Sequence, residues 1–120
     1  MKRKPRKPYA QETREWAEQW GTCWRCKKRG AWKHGLEIHH CVYGSNRKQD
    51  DLSTTIILCG PFGCHEKEES FDCLGLLGCL ALKKRYDPKH YSLARVLYLR
   101  GRATGVITED DVDTTGLELP

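Results

Sequence analysis

Two short cysteine pairs constrain this chain more than anything else in it. Cys23-Trp-Arg-Cys26 leaves two residues between its thiols, and Cys59-Gly-Pro-Phe-Gly-Cys64 leaves four, about thirty residues downstream. A tetrahedral zinc ion takes four thiolate or imidazole ligands, and a bend of two to four residues between cysteines presents two ligands at once. Cys23, Cys26, Cys59 and Cys64 therefore read as one structural zinc site. The stretch between the pairs exceeds that of the shortest zinc fingers, so it has room for a pair of strands. Cys41, Cys73 and Cys79 lack such partners and read as small core residues.

A staple is what a chain like this needs. With 120 residues it has length for one domain, and only 38% of them are hydrophobic, so the core is thin. Seven cysteines, an odd number, follow a basic start reading MKRKPRKPYA with no signal-peptide pattern. The expectation is a reduced, cytoplasmic protein that holds zinc, not a disulfide-bonded secreted one. No apolar run approaches the length of a membrane span, which argues against a membrane partner.

The net charge of +5 is unevenly spread. Residues 1–8 carry five bases and no acid, residues 108–120 five acids and no base, and the body keeps sixteen bases against eleven acids. A basic body behind a basic arm is the composition of a polyanion-binding protein. Its clusters are Arg25, Lys27, Lys28, Arg29 and Lys33, the pair Arg47 and Lys48, and the run Lys83–Tyr86. Any one cluster suits a solvated face; several around a metal site suit tracking along phosphates.

The pattern along the chain is α+β. Residues 1–8 read as a flexible basic arm, residues 9–113 as a single domain with its core at about 21–70, and residues 114–120 as a flexible tail. Ala10–Gly21 reads as a short helix with Trp16 and Trp20 on one face, packing onto the zinc unit. Gly35–Gly44 and Leu52–Cys59 read as strands, with a polar loop between them. Helices follow over about 65–105, broken or closely packed at Gly75 and Gly78, and a capped turn starts at Thr108. Leu74, Leu76, Leu77, Leu80 and Leu82 exceed one narrow stripe, so that helix is expected to bury more than one side, with a second copy of the chain as one candidate cover.

The histidines carry the chemistry. His39 and His40 are adjacent on the first strand, and His65 directly follows the last zinc cysteine. Neutral imidazoles hold divalent metals. Cutting a phosphodiester needs a metal to take up charge and a base to deprotonate water. Three histidines at a strand end and a helix start supply both. His34 and His90 read as surface or satisfied histidines, with His34 a poor substitute zinc ligand.

From Cys23 to Glu69 the sequence resembles the HNH endonuclease family. The resemblance rests on the CWRC pair, EIHHC, the glycine and polar loop after it, DLSTTIILC, and CH at a helix start. It implies a small ββα-metal, treble-clef-like core stapled by zinc and flanked by helices. It implies metal-dependent hydrolysis of DNA, with His39 and His65 on a catalytic Mg²⁺, Mn²⁺ or other divalent ion, His40 as general base, and Glu69 as a further ligand. The family's middle asparagine falls at Thr54, whose hydroxyl offers part of the same local hydrogen bonding; Asn46 is another residue that suits the loop. Phage and bacterial members carry similar cysteine pairs, so the resemblance implies a phage-encoded or bacterial protein with DNA, and a second copy or a DNA-processing protein, as partners. The rival reading is a zinc module that binds nucleic acid without cutting it. Both readings keep the four cysteines, and only the first uses the histidines.

Overall fold

A computed structural model describes residues 9–42, 51–60, 63–65, 75–100 and 107–117. The basic arm and the loop bases Arg47 and Lys48 lie outside the described residues, as do Cys73 and Glu69. Three helices and a three-stranded sheet make up the described α+β fold: α1 Gln11–Glu18, β1 Ala31–Trp32, β2 Gly35–His40, β3 Thr55–Cys59, α2 Gly75–Tyr86 and α3 Leu93–Arg100. The sheet order is β1-β2-β3. Among the described residues no helix is long and apolar enough to cross a membrane.

Strands β2 and β3 pair antiparallel, with Leu36 opposite Cys59, Ile38 opposite Ile57 and His40 opposite Thr55. β1, which the sequence pattern does not single out, adds a parallel pairing of two residues at the far edge. β3 is buried along its whole length, which explains its uninterrupted Thr-Ile-Ile-Leu-Cys run. On its outer edge, Trp24 N–H donates to the Ile57 carbonyl at 3.0 Å. That bond occupies a carbonyl in the middle of the edge and interrupts the row an edge strand would otherwise present.

The second strand starts later than its sequence suggests. Leu52–Thr54 form a 3-10 turn before β3. The Asp51 carboxylate accepts the Ser53 N–H at 3.0 Å, and the Thr54 hydroxyl donates to the Asp51 carbonyl at 2.9 Å. Such side-chain to backbone bonds compete with the ladder and pull these residues out of it.

The helices close the core from both ends. α1 buries Thr13, Trp16 and Ala17, at the i, i+3, i+4 spacing of one helical face. Trp16 and Trp20 meet Trp24 of the first cysteine turn edge-on, at 6.0 and 4.9 Å between ring centroids. This is the packing of the N-terminal helix onto the cysteine unit that the tryptophan spacing predicts. α2 begins at Gly75, whose φ of +72° favours glycine. It is buried on more than one side: Cys79, Leu82 and Tyr86 enter the main core, while Leu80 and Ala81 join Leu93, Val96 and Leu97 of α3 in a second cluster. Leu80 and Leu82 thus find cover within the chain, Leu76 packs partly against the second cluster, Leu77 stays exposed, and Leu74 lies outside the described residues. At Thr108 the expected capped turn is present, with Asp111 accepting the Thr108 N–H at 2.8 Å. The tail is held as far as Leu117, whose carbonyl accepts from Arg85 Nε at 2.8 Å.

Candidate functional site

The four cysteines meet. Their sulfurs all lie within 4.8 Å of one another, and Cys26 Sγ is 3.6 Å from Cys59 Sγ. Zinc–sulfur bonds of about 2.3 Å in a tetrahedron place ligand sulfurs about 3.8 Å apart. That matches a metal site and is far too long for a disulfide. Backbone N–H groups point at the sulfurs, Cys26 N to Cys23 Sγ at 3.5 Å and Cys64 N to Cys59 Sγ at 3.3 Å. Gly63 permits this approach: a Cβ there would lie 2.6 Å from Cys59 Sγ and 2.8 Å from the Cys59 carbonyl.

The electrostatics of the cluster ask for a cation. Burial pushes the Cys23 thiol up, and burial together with the Cys23 charge pushes Cys64 up further. Burial opposes ionisation at Cys26 too, but hydrogen bonds from the Lys28 backbone and the neighbouring thiols outweigh it and lower its pKa to about 7. Four ionised thiols this close repel one another, and a bound dication removes that repulsion. The cluster is consistent with structural zinc.

The histidines divide between two sides of β2. Cross-strand pairing stays regular through His39, opposite Ile56, and His40, opposite Thr55, and the Cys41 N–H continues it to the Thr54 carbonyl at 2.7 Å. β2 ends at His40, as the sequence suggests, and the chain bends just beyond it at Cys41 and Val42. Pairing is regular up to that point, so the two side chains alternate. His39 faces His65, with ring centroids 5.3 Å apart at 78°. His40 stacks on Tyr9 at 6.0 Å and 13°. Yet His40 remains close enough to add to the repulsion felt by a protonated His39, so both imidazoles border the end of the strand.

On the His39 side stands a residue that the sequence reading passes over. Glu37, two positions earlier on the same face, places Oε1 2.7 Å from His65 Nδ1. Gly60 makes room for this carboxylate, because a Cβ there would lie 1.9 Å from Glu37 Oε1. The Glu37 carboxylate thereby fixes the orientation of the His65 ring through Nδ1. The sequence signal was the Glu-x-His alternation, which sets both side chains on one strand face.

His39 is 3% exposed. Burial first, then repulsion from His65 and His40, lowers its pKa from 6.5 to about 4. The folded chain thus binds fewer protons than the unfolded chain between those pH values, so stability rises with pH across that window. The contribution is fully present above 6.5 and is lost as pH falls toward 4. At about 1.4 kcal/mol per pH unit it amounts to about 3 kcal/mol. Unfolding free energies from urea titrations at pH 7 and pH 5, without added divalent ions, are expected to differ by about 2 kcal/mol more for wild type than for His39→Asn, since only the part of the window above pH 5 is crossed. Equal pH dependence in the two proteins would show that His39 is not held neutral.

The basic residues sort into two groups. Lys28, Arg29 and Lys33 are exposed around the first cysteine turn and Arg25 is half-buried. Lys27 is committed inward: its ammonium reaches the Trp24 carbonyl at 3.2 Å and the Tyr86 hydroxyl, and lies 3.9 Å from the Tyr86 ring centroid. The run at Lys83 also turns inward. Lys83 is buried, Lys84 pairs with Glu109 at 3.2 Å and Arg85 holds Leu117. That cluster therefore ties helices together and offers little to a phosphate backbone.

Comparison with family models, with curated proteins and with solved structures gives no match. The class of protein follows from the coordinates: a small α+β domain with a four-cysteine cluster able to hold a metal such as zinc.

Proposed function

We propose that this chain is a metal-dependent endonuclease of the HNH type, built on a ββα-metal, treble-clef-like core and acting on DNA phosphodiester bonds. The single observation that carries the reading is the His39 face. A buried, neutral imidazole stands against His65, and the Glu37 carboxylate holds Nδ1 of His65. A core that needed only packing would fill this space with apolar side chains.

His39 and His65 would hold the catalytic divalent ion, which supplies charge neutralisation at the phosphate and leaving oxygen. Glu37 orients the His65 ring through Nδ1. His40 accepts the proton of the attacking water as the water oxygen bonds to phosphorus and the bond to the leaving sugar oxygen breaks. Thr54 ties the turn after the loop to Asp51, and its carbonyl holds Cys41 just beyond His40. Glu69 remains a proposed further ligand. The exposed Lys28, Arg29 and Lys33, with Arg25, give the body of the protein a phosphate-facing surface of low sequence specificity. A second reading, a zinc module that binds nucleic acid without cutting, is favoured by the same bases and cysteines, and leaves the histidine face without a role.

The deciding experiment is cleavage of supercoiled and branched DNA by wild type and His40→Ala, with Mg²⁺, Mn²⁺ or Ni²⁺ added and the cysteine-bound metal retained. Wild type is expected to nick, and His40→Ala to be slower by roughly 10²- to 10⁴-fold with unchanged fold and zinc content. Salt-sensitive binding with no cleavage under any of the metals would establish the binding module instead.

A further inference from the structure

The His40 side of β2 carries a row of rings that the cleavage scheme does not yet use. Tyr9 lies nearly parallel to the His40 imidazole, at 6.0 Å between centroids and 13°. Trp32 of β1 meets the other part of Tyr9 edge-on, at 6.2 Å and 71°. The Lys33 ammonium sits 4.6 Å from the Trp32 ring centroid and closes the row. Tyr9 is itself held from behind. The next residue, Ala10, gives its carbonyl to the Arg14 N–H at 3.0 Å, which starts α1, and α1 is anchored by buried Trp16 and Ala17.

A half-buried imidazole at the end of a strand can turn about its terminal torsion, which is broad and roughly two-fold. A general base must instead aim one ring nitrogen at its water, within hydrogen-bond reach. A flat ring stacked on the imidazole restricts that turn without covering the ring plane in which its nitrogens bond. The geometry points to Tyr9 as a positioning residue for His40, clamped by Trp32 and acting through its ring face. This inference rests on His40 being the base, and it extends the catalytic unit to the residue just before α1.

The test compares wild type, Tyr9→Phe and Tyr9→Leu, each with its cysteine-bound metal. Nicking kinetics and the ring-proton resonances of His40, assigned by their loss in His40→Ala, are both measured. Tyr9→Phe keeps the stacked face and is expected to stay within about twofold of wild type in kcat. Tyr9→Leu is expected to lower kcat by roughly 10- to 100-fold while KM changes little, as for a misaligned catalytic group. The His40 ring resonances should lose their aromatic shielding in Tyr9→Leu and keep it in Tyr9→Phe. Far-UV circular dichroism and zinc content check that all three proteins are folded.

A purely structural role for Tyr9 would also be rescued by phenylalanine, but in Tyr9→Leu it would lower stability or change KM together with kcat, so the kcat-against-KM split is the readout that separates the two. Unchanged or increased kcat in Tyr9→Leu, or an equal loss in Tyr9→Phe, overturns the proposal. If wild type cuts no DNA, the endonuclease reading fails by itself, and with it the positioning role. The resonances then still report on the contact, and unchanged His40 shifts in Tyr9→Leu would show that the stack is absent in solution.

Discussion

Removing the metal from the four-cysteine cluster is expected to unfold the protein. Structural zinc in finger-type sites contributes on the order of 10–16 kcal/mol of apparent binding free energy, while a whole domain is stable by only about 5–15 kcal/mol. The reason for so large an effect here is where the cysteines sit. Cys23 and Cys59 are buried, the turn after Cys23 carries Trp24 into the centre of the aromatic cluster, and Cys64 sets the position of His65. Without a cation, burial and mutual repulsion hold Cys23 and Cys64 toward their neutral thiols, and the buried cluster loses the partner that justified its burial. Chelation, or Cys59→Ser, should abolish the cooperative urea transition and the far-UV signature of the sheet. Cys26→Ser, at the exposed corner of the cluster, should weaken metal retention with a smaller loss of structure. A chain that keeps a cooperative transition after complete chelation would place its stability in the apolar core and not in the cluster.

Lys83→Ala is expected to cost roughly 3–5 kcal/mol, as when one partner is removed from a buried ion pair. Lys83 is 0% exposed. Its ammonium lies 2.8 Å from Asp87 Oδ2 and 4.3 Å from the Trp16 ring centroid. The same carboxylate accepts Trp16 Nε1–H at 2.8 Å and faces His90 Nδ1 at 2.9 Å. Burial pulls the lysine below its usual range while Asp87 works to keep it charged. The pair thereby pins α1 and the turn after α2 to one point. Alanine would strand the Asp87 carboxylate and leave a cavity beneath Trp16. The double variant Lys83→Met/Asp87→Asn removes both charges and should recover much of the loss. Denaturant unfolding of the three proteins measures this, and a double variant no better than Lys83→Ala would mean that shape, and not stranded charge, sets the cost.

Both effects bear on how the fold is written in the chain. The cysteine pairs were legible because each places two sulfurs on one tight turn, so local spacing already carries half of the metal geometry. The Trp16–Trp20 face was legible for a similar reason, since helical periodicity puts them side by side whatever they touch. Strand alternation was also local, and it accounts for the separation of His39 from His40. The sequence reading placed both histidines at a strand end, and β2 does end at His40. Regular pairing through Thr55 and Thr54 keeps them alternating.

What went unread was every feature made by residues far apart in the chain. Glu37 reaches His65 across 28 positions and Trp16 reaches Asp87 across 71. The run at Lys83 looked like an ordinary basic helix end, favourable to the helix dipole, until packing sealed its first lysine beneath two tryptophans. The sequence by itself determined the elements that depend on neighbours along the chain: the cysteine turns, the amphipathic first helix, the two main strands and the capped turn at Thr108. Only the tertiary structure decided which charges are buried, which imidazole is dry, and which aromatic ring lies on His40. Those outcomes depend on desolvation and on long-range approach, and no local pattern encodes either.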